Sequence, residues 1–400
     1  MWRETGIMDE RLRFVVECLR EEETMTALCD RFGVSRKTGY KWLGRYRALG
    51  GQGLHDLPRA PHHHGLRTPL ALEERIVSEK ELHPHWGPKK IIAWLRRSLP
   101  EQAWPAPSTA GAILRRHGLV SGRKRVRMRA CGNGPWPPAD KPNAVWTGDY
   151  KGWFRTGDGQ RCEPLTIMDV VSRFSLRLSA CWTTGDDEAW PHFREAFEEY
   201  GLPDRFRSDN GSPFASAGVV GLTPLSMRFV KLGIALERIA PGKPQQNGRH
   251  ERFHLTMLPL AQQPQADHAA QQRAFDAFRH EYNTARPHEA LHMDSPAEHY
   301  SPSTRKMPDR LPEPDYPAEA AVRRVRSNGE IKWNGDLIYV SATLAGELIV
   351  VEETEHGEWA LRFYDHPLGY VDMTRRVVRR HSALQPRPAD AVADNTGGEL

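Results

Sequence analysis

The stretch Gly242-Lys-Pro-Gln-Gln-Asn-Gly-Arg-His-Glu-Arg-Phe-His254 contains one acidic residue, Glu251, and follows two isolated aspartates, Asp149 in Trp-Thr-Gly-Asp-Tyr-Lys and Asp209 in Arg-Ser-Asp-Asn-Gly. Two divalent ions about 4 Å apart promote in-line displacement at a phosphodiester by holding the attacking and leaving oxygens. Magnesium binds carboxylate oxygens and keeps several waters, so two or three acidic side chains suffice. These three carboxylates therefore indicate one magnesium site.

Local patterns place the three acidic residues on separate elements. Residues 144–150 alternate as a strand that carries Asp149, and residues 202–209 form a strand that ends at Asp209 before an Asn-Gly turn. A mostly helical stretch from Gly242 to about Asn283, interrupted near two prolines, carries Glu251 about two turns from its start. The aspartates lie 60 residues apart and the glutamate follows 42 residues later, so only a shared tertiary core unites them.

These motifs and two further segments resemble those of bacterial insertion-sequence transposases with a retroviral-integrase-type (DDE) catalytic core. The further segments are Tyr282-Asn-Thr-Ala-Arg-Pro-His-Glu-Ala-Leu291 and Ser295-Pro-Ala-Glu298. A lone Asp-Asn-Gly is more typical of a plain turn, but the set is specific and covers nearly the whole chain. The resemblance implies a ribonuclease-H-like core in which Asp149 and Asp209 hold one Mg²⁺ or Mn²⁺ ion and Asp149 and Glu251 a second.

The chain departs from the family pattern at two places. Residues 215–226 lengthen the interval between Asp209 and Glu251, and we interpret them as a surface insertion, which costs little stability. Family members tend to have a basic residue one or two turns after the glutamate, where it meets the DNA end, whereas this chain has Leu255 and Leu258. The side chains left for that contact are Arg249, Arg252 and His254.

Length and charge suggest several domains with different partners. The chain has 400 residues and a formal net charge of +5, enough for roughly two to four domains. Residues 1–140 contain 25 Lys and Arg against 15 Asp and Glu, and the remainder contains 31 against 36. A basic first third beside an acidic remainder predicts that the N-terminal region binds double-stranded DNA.

Cysteine usage and hydropathy narrow the cellular context. Five scattered cysteines without a Cys-x-x-Cys pair argue against structural zinc and a disulfide framework. No apolar run is long enough to span a bilayer, and the first residues lack a secretion signal. We expect a cytoplasmic protein, nucleoid-associated when bound to DNA, with no membrane partner. The His62-His-His64 run lies in a Pro- and Gly-bounded segment and is interpreted as a solvated linker.

Residues 1–50 are predicted to form a helix-turn-helix DNA-binding domain. The first helix, Asp9–Glu22, has apolar residues at helical spacing, namely Leu12, Val15, Val16 and Leu19. Thr24 or Thr26 can cap a short second helix, and Ser35 is the expected N-cap of a third. The alternative interpretation is a three-helix packing unit with a solvated basic face.

The third helix is the predicted recognition helix, because its basic side chains can reach a major groove and its phosphates. Those side chains are Arg36, Lys37, Lys41 and Arg45. Tyr40, Trp42 and Leu43 are expected to contribute to packing. Gly39 weakens the helical pattern, because glycine costs roughly 1 kcal/mol relative to alanine in a helix.

Residues 68–120 are predicted to form a second helical DNA-binding unit after a linker over 51–67. Thr68-Pro69, Gly87-Pro88 and Pro107-Ser108 each open a helix. DNA contact and surface solubility are both open explanations for its basic residues Lys89, Lys90, Arg96, Arg97, Arg115 and Arg116. The basic linker over 121–143 is expected to track phosphates through Arg123, Lys124 and Arg125.

The rest of the chain is predicted to form two more domains, which makes the fold class multidomain. The catalytic core spans 144–301, and the resemblance implies the order β-β-β-α-β-α-β-α with a mixed five-stranded α/β sheet. After a Pro-rich linker over 302–317, six short strands with Asn-Gly turns over 318–382 predict a small β-barrel, similar to the SH3-like domain of integrases. The tail over 383–400 is predicted to be disordered.

We expect a DNA transposase that binds insertion-sequence ends as a homo-oligomer, at least a dimer. It would hydrolyse a phosphodiester at the element end and join the freed 3′-hydroxyl to target DNA, without a covalent intermediate. A non-catalytic DNA-binding regulator, such as an inactive transposase remnant, would carry the same motifs. A plain ribonuclease-H-like nuclease is a further alternative, although it needs neither the duplicated DNA-binding units nor the barrel.

Overall fold

The computed structural model describes residues 6–57, 68–120 and 136–381. It divides into two compact units, Met1–Thr68 and Pro69–Leu400. Within the described ranges no helix combines the length and apolar character needed to cross a membrane. Several predictions fall outside these ranges and are not addressed by the structure: the basic side chains of the linker (Arg123, Lys124 and Arg125), the His62–His64 run and the C-terminal tail.

The first unit contains three helices in the predicted order. They are α1 (Ile7–Arg20), α2 (Met25–Arg31) and α3 (Arg36–Leu49). The Thr24 hydroxyl accepts a hydrogen bond from the backbone N–H of Ala27 (3.3 Å), and the Ser35 hydroxyl accepts one from Thr38 (3.2 Å). Both N-caps are therefore confirmed: Thr24 starts α2, and Ser35 starts α3 after the turn between them.

The buried faces of α1 and α3 differ in part from the prediction. Helix α1 buries Phe14, Val15 and Cys18, while three of the predicted core residues are exposed, namely Leu12 (43%), Val16 (38%) and Leu19 (46%). Tyr40 of α3 is also 60% exposed. Helix α1 has apolar residues on two adjacent stripes, and the Phe14 ring packs edge-on against Phe32 (centroids 5.4 Å apart), which selects the aromatic stripe as the inner one.

Gly39 lowers the helix propensity of α3, but it allows this helix to pack closely against its neighbours. A Cβ at this position would be 2.7 Å from Cys29 Sγ and 2.8 Å from Phe14 Cζ. Helix α3 therefore crosses α1 and α2 at a distance that only glycine allows at this point. The next glycine in the helix, Gly44, has nothing within 4 Å of such an atom.

The second unit begins with another three-helix bundle. Its helices are α4 (Leu70–Leu82), α5 (Pro88–Ser98) and α6 (Pro107–Arg116). They enclose a small core that includes Ile76, Trp86, Ile91, Leu95 and Leu114. The three predicted helix openings are confirmed, with Pro88 and Pro107 in the first turns of their helices.

Helix α5 and the residue that follows α4 dock onto the end of the last core helix, residues 268–284, and the segment after it. The Lys90 ammonium donates to the backbone carbonyl of Pro287. Arg97 Nη1 pairs with Glu298 at 2.7 Å, and His83 Nδ1 lies 2.9 Å from a Glu281 carboxylate oxygen. The bundle is thus joined to the core by polar contacts.

A mixed sheet forms the centre of the core. Its strands are β1 (Val145–Tyr150), β2 (Phe154–Arg155), β3 (Arg161–Asp169), β4 (Ser175–Cys181), β5 (Arg205–Ser208) and β6 (Ala235–Arg238). Strands β4, β3 and β1 are antiparallel neighbours, and β5 and β6 continue from β1 as parallel strands. The predicted mixed five-stranded sheet is confirmed, with β2 as a two-residue addition beside β3.

Helices cover both faces of this sheet, as in a ribonuclease-H-like core. They are α7 (Asp186–Tyr200), α8 (Pro224–Lys231), α9 (Gly248–Gln262) and α10 (His268–Thr284). On one face the rings of Phe193, Phe206 and Phe229 lie 4.9 to 5.2 Å apart between centroids. Helices α9 and α10 bury Phe253 and Phe275 with residues of β3 and β4 on the other face. The predicted interruption near Pro264 is therefore confirmed, whereas α9 continues through Pro259.

The C-terminal sheet is a nearly closed barrel of seven strands. They are β7 (Ala321–Arg324), β8 (Glu330–Trp333), β9 (Asp336–Tyr339), β10 (Leu348–Glu353), β11 (Trp359–Phe363), β12 (His366–Asp372) and β13 (Val377–Arg379). Their order is β7-β10-β11-β12-β13-β9-β8. The sequence predicted the first six and missed β13, a three-residue strand that pairs in parallel with β9 and joins the two halves of the sheet.

The segment interpreted as a surface insertion, residues 215–226, is instead largely buried. Val220 and Leu222 belong to the hydrophobic cluster of the barrel. Lys231 of α8 pairs with Glu347 of the barrel at 2.6 Å. The prediction of a surface insertion is wrong because these residues provide the apolar contact between the core and the barrel.

We expect Gly39→Ala to destabilise the first unit. Overpacking costs about 1–3 kcal/mol, which exceeds the roughly 1 kcal/mol that alanine gains over glycine inside a helix. The matched variant Gly44→Ala, in the same helix with open space around the added methyl, should be stabilising. Amide hydrogen exchange of α3 in the full-length chain measures both. Equal changes in protection in the two variants would contradict the packing role of Gly39.

Candidate active site

Asp149 lies near the end of the central strand β1, fixed from both sides. Its backbone pairs with Thr166 of the antiparallel strand β3. The preceding residue is glycine, because a Cβ on Gly148 would be 2.6 Å from the Phe206 ring of the parallel neighbour β5. The Asp149 side chain remains 28% exposed. The sheet therefore presents this carboxylate at the edge of solvent with little backbone freedom.

Asp209 follows directly after β5, at the same edge of the sheet as the end of β1. Its Oδ1 accepts a hydrogen bond from the backbone N–H of Gly211 (3.0 Å), which orients the carboxylate. Asn210 Nδ2 donates to the carbonyl of Ile239 (2.7 Å) and ties this turn to β6. Because β1 and β5 are parallel, their carboxyl ends lie side by side.

Glu251 lies in the first turn of α9, and its side chain is exposed. The prediction placed it two turns into a helix, but residues Pro244–Asn247 form a 3-10 turn and the α-helix starts only at Gly248. The start of the helix is held over β1, because Thr147 Oγ1 donates to Asn247 Oδ1 at 2.9 Å. The turn and this hydrogen bond bring the glutamate to the two aspartates.

Asp209 and Glu251 are both close enough to Asp149 to affect its carboxyl. Burial, repulsion from Asp209 and a smaller repulsion from Glu251 together raise the pKa of Asp149 to about 7, and the nearby Lys151 opposes this only weakly. Like charges gathered in this way are stabilised by a bound cation, and oxygen donors suit Mg²⁺ or Mn²⁺. The residues present therefore fit a divalent-cation site.

A polar cluster that the sequence analysis did not identify lies behind Asp149. Thr166 Oγ1 donates to the Asp149 carbonyl (2.8 Å) and contacts Nε2 of both His250 and His254. Asp149, His250 and His254 offer ligand atoms that all lie within 4.8 Å of one another. Burial, with a smaller effect of Lys151, lowers the pKa of His254 to about 4. The sequence signal was two histidines four residues apart on one helix face.

The predicted recognition helix presents a basic, exposed face. Arg36, Lys37 and Lys41 are exposed on α3. Arg45 is half-buried, donates to the carbonyl of His55 (2.5 Å) and stacks on the Trp42 ring, 4.8 Å from its centroid. Lys41 Nζ also lies over the Trp42 ring, 4.2 Å from its centroid. Arg45 therefore has two structural partners within its own unit and Lys41 has one, while Arg36 and Lys37 are exposed in the first turn of α3.

The predicted basic residues of the second helical unit divide into two groups. Lys89 pairs with Glu289 at 3.2 Å, and Lys90 bonds the Pro287 carbonyl, so both face the core. Arg116 pairs with the buried Glu73 at 2.8 Å, while Arg115 is exposed at the end of α6. The helix that carries Lys89 and Lys90 thus uses its basic face for docking.

Comparison with protein families supports this architecture. Two models described as "Integrase core domain" match residues 139–244 and 232–296. A "Helix-turn-helix domain" model matches residues 10–62, and a "Homeodomain-like domain" model matches residues 38–114. An insertion element IS407 uncharacterized 31.7 kDa protein from Burkholderia multivorans is 24% identical over 285 residues, covering 68% of this chain and 93% of the relative.

Solved structures similar to this chain include retroviral integrases. The HTLV-2 integrase catalytic core domain in complex with magnesium is 16% identical, with a TM-score of 0.30, covering 40% of this chain and 98% of that one. A simian T-cell lymphotropic virus intasome in complex with PP2A regulatory subunit B56 gamma is 16% identical, with a TM-score of 0.36, covering 74% of this chain and 99% of that one. At such TM-scores the fold assignment rests on the strand order and the family models.

We expect Asp149→Asn to stabilise the metal-free protein at high pH. Because the folded-state pKa is about 7 and the ordinary value is 3.8, the protonated carboxyl stabilises the fold at low pH, and this contribution is lost as pH rises through 7. Asparagine resembles the protonated form, so the variant should gain up to about 4 kcal/mol over the parent above pH 7. Urea unfolding with a chelator at pH 5 and pH 8 measures the difference, and a pH-independent result would contradict the assignment.

Proposed function

We propose that this chain, which has the helix-turn-helix domains and integrase-type core of an insertion-sequence transposase, is an active DNA transposase. It would hydrolyse the phosphodiester at an element end and join the freed 3′-hydroxyl to target DNA. The observation that supports this most directly is the raised pKa of Asp149, which is caused by burial and then by the nearby charges of Asp209 and Glu251. A DNA-binding regulator has no need to hold like charges together at a cost in stability.

In this proposal the protein positions groups and contributes no nucleophile of its own. When bound, two Mg²⁺ or Mn²⁺ ions would lower the pKa of the attacking water or hydroxyl and neutralise charge on the phosphate. Asp149 would contribute to both ion sites, since its carboxyl is the one whose pKa is raised by both of the other carboxylates. Asp209, oriented by Gly211, and Glu251, at the start of α9, would each complete one of them.

The helical units would hold the DNA on which the core acts. The exposed basic face of α3 would enter a major groove of the element end. Arg115 on α6 and the basic linker would follow phosphates, and Lys89 and Lys90 would reach DNA only at the border between α5 and the core. Joining two element ends to one target requires at least two active sites, so we propose that the chain acts as a homo-oligomer, at least a dimer, on DNA.

Removal of any one of the three carboxylates should abolish catalysis while leaving DNA binding intact. In Asp149→Asn, Asp209→Asn and Glu251→Gln one metal ligand is lost and no phosphate contact changes. A strand-transfer assay and a gel-shift assay on the same end-containing DNA distinguish the two effects. Strand transfer retained by one variant would exclude that residue from the site, and an inactive parent protein would favour the regulator.

Truncation of Arg36, Lys37 and Lys41 together to alanine should weaken end binding and flatten its salt dependence. Each lost phosphate contact reduces the slope of log K against log salt by about 0.9. The matched control is truncation of Arg13 and Arg20 on α1, which pair with Glu10 and Glu17 within their own helix. Equal losses in both variants would show that α3 has no special role in reading the element end.

A further inference from the structure

The Thr166 hydroxyl sits at the centre of three polar contacts in a fully buried position. It donates to the Asp149 carbonyl (2.8 Å), lies 2.8 Å from His254 Nε2 and contacts His250 Nε2. Thr166 and His250 are each 0% exposed and His254 is 8% exposed. Solvent therefore cannot rearrange these hydrogen bonds, and each contact must be satisfied by the groups present.

The hydrogen atoms available at this site determine the tautomer of both histidines. A hydroxyl has one hydrogen to donate and can accept two. The Asp149 carbonyl has no hydrogen to donate, so the Thr166 hydroxyl hydrogen points to that carbonyl. The Thr166 oxygen then acts as the acceptor for both imidazoles, and each ring donates its Nε2 hydrogen. The Nδ1 atom of each neutral ring then carries a lone pair. His250 Nδ1 agrees with this, because it is buried with no hydrogen-bond partner among the described residues.

In this tautomer the lone pair of His254 is on Nδ1, the ring nitrogen that faces Asp149. His254 Nδ1 lies 3.8 Å from Asp149 Oδ2, which is beyond hydrogen-bond distance, so the two atoms do not satisfy each other directly. A divalent ion satisfies both atoms, because ligand bonds of about 2.0–2.2 Å to nitrogen and oxygen span this separation.

We propose that His254 Nδ1 is a direct ligand, together with Asp149, of a divalent ion in the active site. Thr166 and His250 are positioning residues that hold the ring in the metal-binding tautomer. His250 is not a ligand, since its Nε2 donates to Thr166 and its Nδ1 is buried. The inference rests on the proposed function, because it adds a nitrogen donor to the same carboxylate site.

A nitrogen ligand changes which ion the site prefers. Mg²⁺ selects oxygen donors, whereas imidazole favours first-row transition ions such as Mn²⁺ and Co²⁺. The chain has Leu255 and Leu258 in the next turns of α9, so His254 is the side chain of this helix that continues the polar site beyond Glu251. The structure thus assigns to this site a mixed nitrogen and oxygen donor set and a preference for Mn²⁺ over Mg²⁺.

The test measures metal binding by the full-length chain without DNA. Calorimetric titration should show that His254→Asn weakens Mn²⁺ binding about tenfold or more, because loss of even an outer-shell partner of a metal ligand costs roughly 10–100-fold, with a smaller effect on Mg²⁺. Pulsed electron paramagnetic resonance of bound Mn²⁺ should detect a directly coordinated ¹⁴N in the parent and lose it in the variant. The matched control His280→Asn, at an exposed histidine of α10, should change neither.

Two further variants distinguish failure of the His254 inference from failure of the proposed active site. Thr166→Val keeps His254 but removes the group that sets its tautomer, so it should also weaken the ¹⁴N signal, and it serves as the test if His254→Asn fails to fold. Asp149→Asn should abolish Mn²⁺ binding at this site. A ¹⁴N signal and Mn²⁺ affinity that survive in His254→Asn overturn this inference alone, whereas unchanged binding in Asp149→Asn overturns the proposed active site itself.

Discussion

The half-buried carboxylate of Asp149, held close to two like charges, is the constraint on which the core depends. Its pKa is raised to about 7 by burial and by Asp209 and Glu251, so the fold must supply stability elsewhere to keep it there. Pairing with β3 fixes its backbone on one side, and β5 pairs with the same strand up to Thr147. The aromatic cluster behind the sheet, with Phe206 filling the space above Gly148, supplies apolar burial.

Helix α9 is placed over the sheet by polar contacts as well as by apolar ones. Asn247 accepts from Thr147, and His254 meets Thr166, so the first two turns of the helix are joined to β1 and β3. Phe253 adds an apolar contact with α10. Directional hydrogen bonds in a buried site specify one arrangement more sharply than apolar packing does. This explains how an exposed Glu251 in a first helical turn is brought to the two aspartates.

Charge alone did not predict where the basic residues of the second helical unit make contact. Lys90 and Arg97 of α5 contact Pro287 and Glu298, within and just after the Tyr282–Leu291 segment that carried part of the family resemblance. That segment therefore receives the helical unit and links it to the core. A basic helix face predicts an acidic or carbonyl-rich partner, and the partner here is the same polypeptide.

The sequence by itself determined the helix caps, the order of helical and strand regions and the strands at or after which Asp149 and Asp209 lie, because caps, turns and strand alternation are local patterns. Only the tertiary structure decided which stripe of α1 is buried, why Gly39 is required, and that residues 215–226 contact the barrel. It also revealed the Thr166 and His254 contact. Each of these depends on groups brought together from distant parts of the chain, and no local periodicity contains that information.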